Sequence, residues 1–259
     1  MITAYHRPKT LDEALALLAQ PNTLPLGGGT LLSHTSTTLS TGGTADSVHA
    51  VDLQLLGLDS LRVNGNTLEL GATLTLQSLL ESEHCPDALK RALKLEAPLN
   101  IRNSATLAGT LVSCDGRSTL GTVLLAMDAK ITVISKQSAV SSNQSSAISV
   151  GEFLPLRPRG LITSITIPLN VKLAFEYVSR TPSDKPIVCV ALAQWNSGRT
   201  RLAVGGFGKS PMLAMDGTAS DDVSTAAHNA FHEATDDYGS AEYRMDVAST
   251  LAKRCVEVQ

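Results

Sequence analysis

The chain has 259 residues, with 21 Lys+Arg against 24 Asp+Glu and a formal charge of −3. That balance excludes a surface that works by displacing counterions from nucleic-acid phosphates, and 43 % hydrophobic with 17 % charged residues excludes disorder over most of the length. No window reaches the roughly 18 apolar residues of a membrane span, no basic-then-apolar leader opens the chain, and Cys85, Cys114, Cys189 and Cys255 form no CxxC pair able to hold zinc or an iron–sulfur cluster, so a cytoplasmic protein is expected.

In chain order, Thr10 and Glu13 form a capping box ahead of Leu11, Ala14, Leu15, Leu17 and Leu18, predicting a helix of about ten residues that Pro21 stops. Leu24-Pro25-Leu26 reads as a short buried strand running into Gly27-Gly28-Gly29-Thr30. From Val48 to Glu81 the apolar period becomes two, with Val51-Asp52-Leu53, Leu61-Arg62-Val63 and Leu68-Glu69-Leu70, and a hairpin turn at Asn64-Gly65-Asn66 where both turn positions tolerate positive φ. Thr75 to Glu81 predicts a short helix and Pro86 to Lys94 a longer one, with Ala88, Leu89, Ala92 and Leu93 on one side. The stretch from Ile101 to Leu111 is too glycine-poor for a linker and too polar for a core helix, so residues 106–110 are expected as a small-residue loop. A helix follows over Leu120 to Met127, then a buried strand over Lys130 to Ile134. Gln137 to Ser146, rich in Ser, Gln and Asn, is expected as a solvated loop. Leu161 to Pro168 alternates as a strand, Pro168 to Val171 is the candidate domain boundary, and Leu173 to Val178, Ile187 to Gln194 and Thr200 to Val204 predict a small antiparallel sheet before helices from about Asp221. The irregular mixture of strands and helices predicts an α+β fold.

Consecutive glycines let a backbone curl into a nest of converging N–H groups that holds an anion without Lys or Arg; an ordinary tight turn is the other reading of residues 27–30. Two familiar phosphate loops are excluded. A dinucleotide fingerprint would need glycine at Leu32 or His34, and Gly208-Lys209-Ser210 has Ala203 where a P-loop's first glycine stands and Pro211 where its helix starts. His228 and His232 share one helix face at i, i+4, but without a third ligand an exposed face is preferred to a metal site. Cys114-Asp115 is read as a buried thiol beside a loop carboxylate, and no spacing yields a catalytic Ser/His/Asp or Cys/His set. The two small-residue loops, 27–30 and 106–110, would each offer N–H and hydroxyl groups to one pyrophosphate if they converge.

Leu26-Gly27-Gly28-Gly29-Thr30 with Leu32 resembles the Ala-Gly-Gly-Thr/Ser motif of the FAD-binding medium subunits of molybdenum hydroxylases, the xanthine dehydrogenase and carbon monoxide dehydrogenase flavoproteins. Ile101-Arg102-Asn103-Ser104-Ala105-Thr106-Leu107-Ala108-Gly109-Thr110 resembles their Ile-Arg-Asn-x-Ala-Thr-Ile-Gly-Gly-Asn motif. Likeness continues, in order, through Leu124 to Lys130, Phe175 to Arg180, Arg201 to Phe207 and Gly239 to Arg244. The resemblance implies an α+β FAD-binding domain of the type shared with vanillyl-alcohol oxidase over 1–170, with subdomains of about 1–55 and 56–170, and a C-terminal domain over 171–259 with a three-stranded antiparallel sheet and helices. It implies FAD contacts at Leu26, Gly27, Gly28, Gly29, Thr30, Leu31 and Leu32, at Thr106, Ala108, Gly109 and Thr110, at Thr119, and at Leu161 and Ile162. It implies as partners a molybdopterin-binding large subunit, a [2Fe-2S] small subunit, and NAD or another electron acceptor. No metal is expected on this chain, and no acid/base catalyst. The sequence departs from the family where Gly-Gly-Asn reads Ala108-Gly109-Thr110 and where an aspartate is replaced by Thr119. A flavin-free assembly subunit and a stand-alone flavin oxidase are the competing functions.

Overall fold

The computed structural model describes residues 2–31, 47–136, 143–218 and 222–258. The chain begins with β1 (Ile2–His6), α1 (Leu11–Leu18), β2 (Thr23–Leu26) and β3 (Val48–Asp52). Both β1 and β2 run parallel to β3, in the order β1-β3-β2. The capping box forms as predicted: Glu13 N–H donates to Thr10 Oγ1 and Thr10 N–H to Glu13 Oε2, each at 3.3 Å. Ala14 and Leu15 of α1 pack with Val51, Leu53 and Leu161. Strand β1 was not among the expected elements, because Ile2, Thr3 and Tyr5 stay exposed and leave no apolar alternation to read.

Next come β4 (Leu61–Asn64), β5 (Thr67–Gly71), α2 (Leu76–Glu81), α3 (Asp87–Glu96), α4 (Leu99–Arg102), α5 (Leu107–Ser113), α6 (Thr119–Ala126), β6 (Lys130–Lys136), β7 (Asn143–Ser149), α7 (Val150–Leu156) and β8 (Leu161–Pro168). The five strands form an antiparallel sheet in the order β4-β5-β8-β6-β7. In the β4–β5 hairpin Asn64 pairs with Thr67, so the turn residues are Gly65 and Asn66. Only Gly65 takes positive φ, +57°. Two expectations are corrected here. Residues 107–110 are the first turn of α5 and not a loop, and 143–146, expected in a solvated loop, belong to the polar edge strand β7; residues 137–142 lie outside the described residues.

The last part holds β9 (Val171–Val178), β10 (Val188–Trp195), β11 (Thr200–Gly205), β12 (Met212–Gly217), α8 (Val223–Asn229) and α9 (Ala241–Glu257). Its antiparallel sheet has four strands, β12-β11-β10-β9, where three were expected. The sheet is covered on both faces, as alternation along β10 requires. Cys189, Ala191 and Ala193, with Phe175 and Ala203, share one core with Leu89, Leu93, Leu120 and Val123 of α3 and α6. Val188, Val190 and Leu192 pack instead on Val223, Ala227, Ala248, Leu251 and Ala252 of α8 and α9.

Two polar clusters hold this arrangement. Arg199 grips Asp216 with two bonds of 2.8 Å and Asp128 at 3.0 Å, while buried Arg201 reaches Asp216 at 2.6 Å and Leu125 O at 3.1 Å. They tie the end of α6 to β11 and β12. Hydrogen bonds from Arg199, with the charge of Arg201, hold Asp216 below its ordinary 3.8 against the effect of burial. At Asp236 burial pushes upward but is outweighed by Arg244 and by the Tyr238 and Gly239 N–H groups, so it too is lowered. A carboxylate depressed in the folded chain adds stability above its unfolded value that is lost as pH falls through the folded value. Urea midpoints are therefore expected to drop below about pH 4, and Asp216→Asn to flatten part of that drop; an unchanged pH slope in the variant would show that the cluster adds nothing.

Candidate functional site

In open sheets with parallel strands, ligands gather outside the carboxyl ends of those strands. The carboxyl ends of β1, β3 and β2 here bring together Arg7, Asp52 and the glycine loop. Asp52 is 2 % exposed; its carboxylate accepts from Tyr5 Oη, from Arg7 Nε at 3.1 Å and from Gln54 N–H at 2.9 Å, which locks the ends of β1 and β3. Leu53 N–H donates to Leu26 O at 3.0 Å, and this fixes the base of the loop. Gly27, Gly28, Gly29 and Thr30 are half-buried and Leu31 is exposed; Gly29 has φ +69°, a conformation that favours glycine. The amides of Gly27, Gly28 and Thr30 have no hydrogen-bond partner among the described residues.

The loop leans on the turn between α4 and α5. A β-carbon on Gly28 would lie 1.6 Å from Ser104 O, and one on Gly27 would lie 2.7 Å from Thr106 Oγ1. The structure thus brings the first loop against Ser104 to Thr106, which lie far away in sequence. Thr106 is the N-cap of α5, with Oγ1 accepting from Gly109 N–H at 3.2 Å. The amides of Leu107 and Ala108 donate to Leu74 O and Ala72 O, at 2.9 and 3.1 Å, and the Thr110 amide donates to Thr106 O at 2.9 Å. The Thr110 hydroxyl also bonds Thr106 O, at 2.9 Å. Glycine suits position 109 because a β-carbon there would lie 2.9 Å from Thr106 Oγ1.

The remaining expected contacts sit elsewhere. Thr119 is fully buried, and its hydroxyl contacts Ala92 O at 2.7 Å and Glu96 Oε2 at 3.0 Å. Glu96 Oε2 also accepts from Ser118 Oγ and Leu120 N–H, at 2.9 and 2.8 Å. This carboxylate takes up a buried N–H that the first turn of α6 would otherwise leave unpaired; nothing local in the sequence marked it. Leu161 packs between the two sheets in the cluster of Ala14 and Val51, and Ile162 lies in the main core. Leu32 lies outside the described residues.

Other candidates resolve differently. His228 lies in the last turn of α8 and His232 beyond it, so they do not share a helix, and among the described residues no group of three His, Cys, Asp or Glu is placed to hold a metal. All four thiols are free and buried. Burial pushes Cys114 up to about 11 and Cys85, Cys189 and Cys255 up to about 12, which leaves them protonated and inert. No helix among the described residues is long and apolar enough to cross a membrane.

What remains is a loop whose Gly27, Gly28 and Thr30 amides are unpaired among the described residues, set against a second segment. Those donors suit a diphosphate, whose oxygens accept from converging N–H groups. A sequence profile of the family described as FAD binding domain in molybdopterin dehydrogenase matches residues 1–170. The uncharacterized protein YgfM of Escherichia coli strain K12 is 26 % identical over 258 residues, covering 97 % of this chain and 94 % of that one. The carbon monoxide dehydrogenase medium chain of Afipia carboxidovorans is 26 % identical over 278 residues, covering 98 % and 95 %. A solved structure of reconstituted CO dehydrogenase from Oligotropha carboxidovorans matches with a TM-score of 0.81 at 24 % identity, over 98 % of this chain and 96 % of that one, which establishes the shared fold.

Proposed function

The chain belongs to the family of FAD-binding domains of molybdopterin dehydrogenases, and from that membership we propose that it is the flavin-carrying medium subunit of a molybdenum hydroxylase complex. Its partners in this reading are a molybdopterin-binding large subunit, where substrate is oxidised, and a small subunit with [2Fe-2S] clusters. The reading is supported by relatives such as the Afipia medium chain, similar over nearly its whole length. Bound FAD would supply the electron transfer between the clusters and NAD or another acceptor. Residues 1–170 would carry the cofactor, and 171–259 would complete the subunit. Four unpaired cysteines support a cytoplasmic setting.

The observation that carries the proposal is the set of Gly27, Gly28 and Thr30 amides left unpaired among the described residues, inside the family-matched segment. Those amides would hold the diphosphate, and glycine at position 28 lets the loop approach Ser104. No side chain of this chain is assigned a proton-transfer role; its part is to bind and orient. The purified chain is expected to carry a flavin absorption band near 450 nm, as flavins do, and the extracted group to be FAD. A colourless chain that still takes up no FAD on incubation would overturn the reading in favour of a flavin-free assembly subunit.

A further inference from the structure

We infer that the end of α5, the end of α7 and the start of β12 form a docking face for the iron–sulfur partner chain. The inference rests on the medium-subunit reading above and names the surface that one of those partners would cover. Three separate stretches meet there around one side chain. Arg157 donates from Nη1 to Val112 O at 2.5 Å, and from Nη2 to Cys114 O at 2.5 Å and Lys209 O at 3.2 Å. One guanidinium thus gathers the last turn of α5 and the segment leading into β12 beside the end of α7. On these stretches Val112 is 51 %, Leu156 75 %, Met212 37 % and Leu213 41 % exposed. Scattered single apolar residues need no explanation, whereas several drawn together inside a polar border mark an interaction surface.

The outward placement of Leu156 is built into the turn. Arg157, the next residue, caps α7 in the left-handed region at φ +41°, which non-glycine residues rarely adopt, and its side chain is tied down at Leu154 O as well as at the three carbonyls above. A side chain held out by a fixed backbone loses little freedom on binding. The face lies at the Ser149 end of β7 and the Met212 end of β12, opposite the ends of those strands that border residues outside the described ones.

Charge and position select the occupant. Arg157 and the exposed Arg159 and Lys209 edge the face, while Asp115, beside Cys114, is engaged by Lys185 at 3.4 Å. The border is therefore basic. An iron–sulfur partner supplies the matching sign, because the two ferric ions, two sulfides and four thiolates of a [2Fe-2S] centre sum to a negative charge that reduction increases. A second copy of this chain does not, since a two-fold contact would set Arg159 and Lys209 against the same cations of its twin. Val112 also lies only about 9 Å along α5 from Thr106, at about 1.5 Å per residue, and Thr106 borders the glycine loop. A partner seated here is close to the cofactor.

The test uses the complex purified through an affinity tag on this chain, with the photo-cross-linker p-benzoylphenylalanine at position 156. Mass spectrometry is expected to find the cross-link on the chain that carries the [2Fe-2S] cysteines. Leu156→Glu, a change at an exposed position, is expected to weaken retention of that chain at least about tenfold, while FAD content per tagged chain stays at the parent level. Should it misfold, as circular dichroism would show, Arg159→Glu takes its place with the same expectation. A cross-link to the molybdopterin-binding chain, to a second copy or to nothing, or a folded variant that keeps its full share of the cluster-bearing chain, overturns the docking face and leaves the medium-subunit reading standing. A parent chain recovered without any cluster-bearing partner overturns that reading, and the face with it.

Discussion

A Gly28→Ala chain is expected to be purified without flavin and to bind added FAD at least about a hundredfold more weakly than the parent. The added methyl would lie 1.6 Å from Ser104 O and 2.5 Å from its carbonyl carbon, and both are backbone atoms that no rotamer change can move aside. Either the loop withdraws from the α4–α5 turn or that turn shifts, and each path displaces the Gly27, Gly28 and Thr30 amides. Overpacking of this kind costs about 1–3 kcal/mol of stability. Loss of two charge-assisted bonds to a diphosphate costs about 3 kcal/mol or more, which is the hundredfold. Titration with FAD, alongside thermal unfolding of the flavin-free chains, separates the two effects. Gly27→Ala is the milder companion, because its methyl meets the side-chain oxygen of Thr106 at 2.7 Å, which can turn. Equal affinity in the parent and the Gly28→Ala chain would mean that the loop does not hold the cofactor.

The second large effect concerns stability. Arg244 is 0 % exposed and sits in the first turn of α9, where its guanidinium donates to Ile187 O at 3.4 Å, to Ala234 O, to Gly239 O at 2.9 Å and to Asp236 Oδ1 at 2.6 Å. One side chain thus closes the 234–239 segment onto the start of β10, with the Phe207 ring 5.3 Å from its centre. Arg244→Met would fill the space but strand three carbonyls and a carboxylate, an expected loss of about 3–5 kcal/mol in urea unfolding at neutral pH. Arg244→Lys should recover little, since one ammonium cannot reach acceptors spread around a planar fork. A loss below about 1 kcal/mol would show that water replaces the guanidinium at these carbonyls.

What the sequence revealed of the fold depended on how local each cause was. The α1 capping box was legible because both halves of the interaction lie three residues apart. α5 was not, because Gly109 in its first turn argues against a helix on propensity, and the reason for that glycine is the crowding by Thr106 Oγ1. β7 and β12 are sheet-edge strands. The first is polar where it meets solvent and the second, Met212-Leu213-Ala214-Met215, has no alternation. In the candidate site, the three glycines were visible as a loop, but the wall they lean on became visible only through the contact of Gly28 with Ser104. The buried charges of Glu96, Arg201 and Arg244 have partners distant in the chain, such as Leu125 for Arg201 and Ile187 for Arg244, and nothing in their own neighbourhoods announces burial.

The β9–β12 sheet, covered by α3 and α6 on one face and by α8 and α9 on the other, limits how modular this subunit can be. A cut in the joint between Pro168 and Val171 would strip Phe175, Cys189, Ala191, Ala193 and Ala203 from the core they share with Leu89, Leu93, Leu120 and Val123, leaving two sticky halves. Grafting the C-terminal part of a relative onto residues 1–170 would therefore succeed only if the facing surfaces of α3 and α6 travelled with it. The unit of exchange is the whole chain, because its two parts share one core.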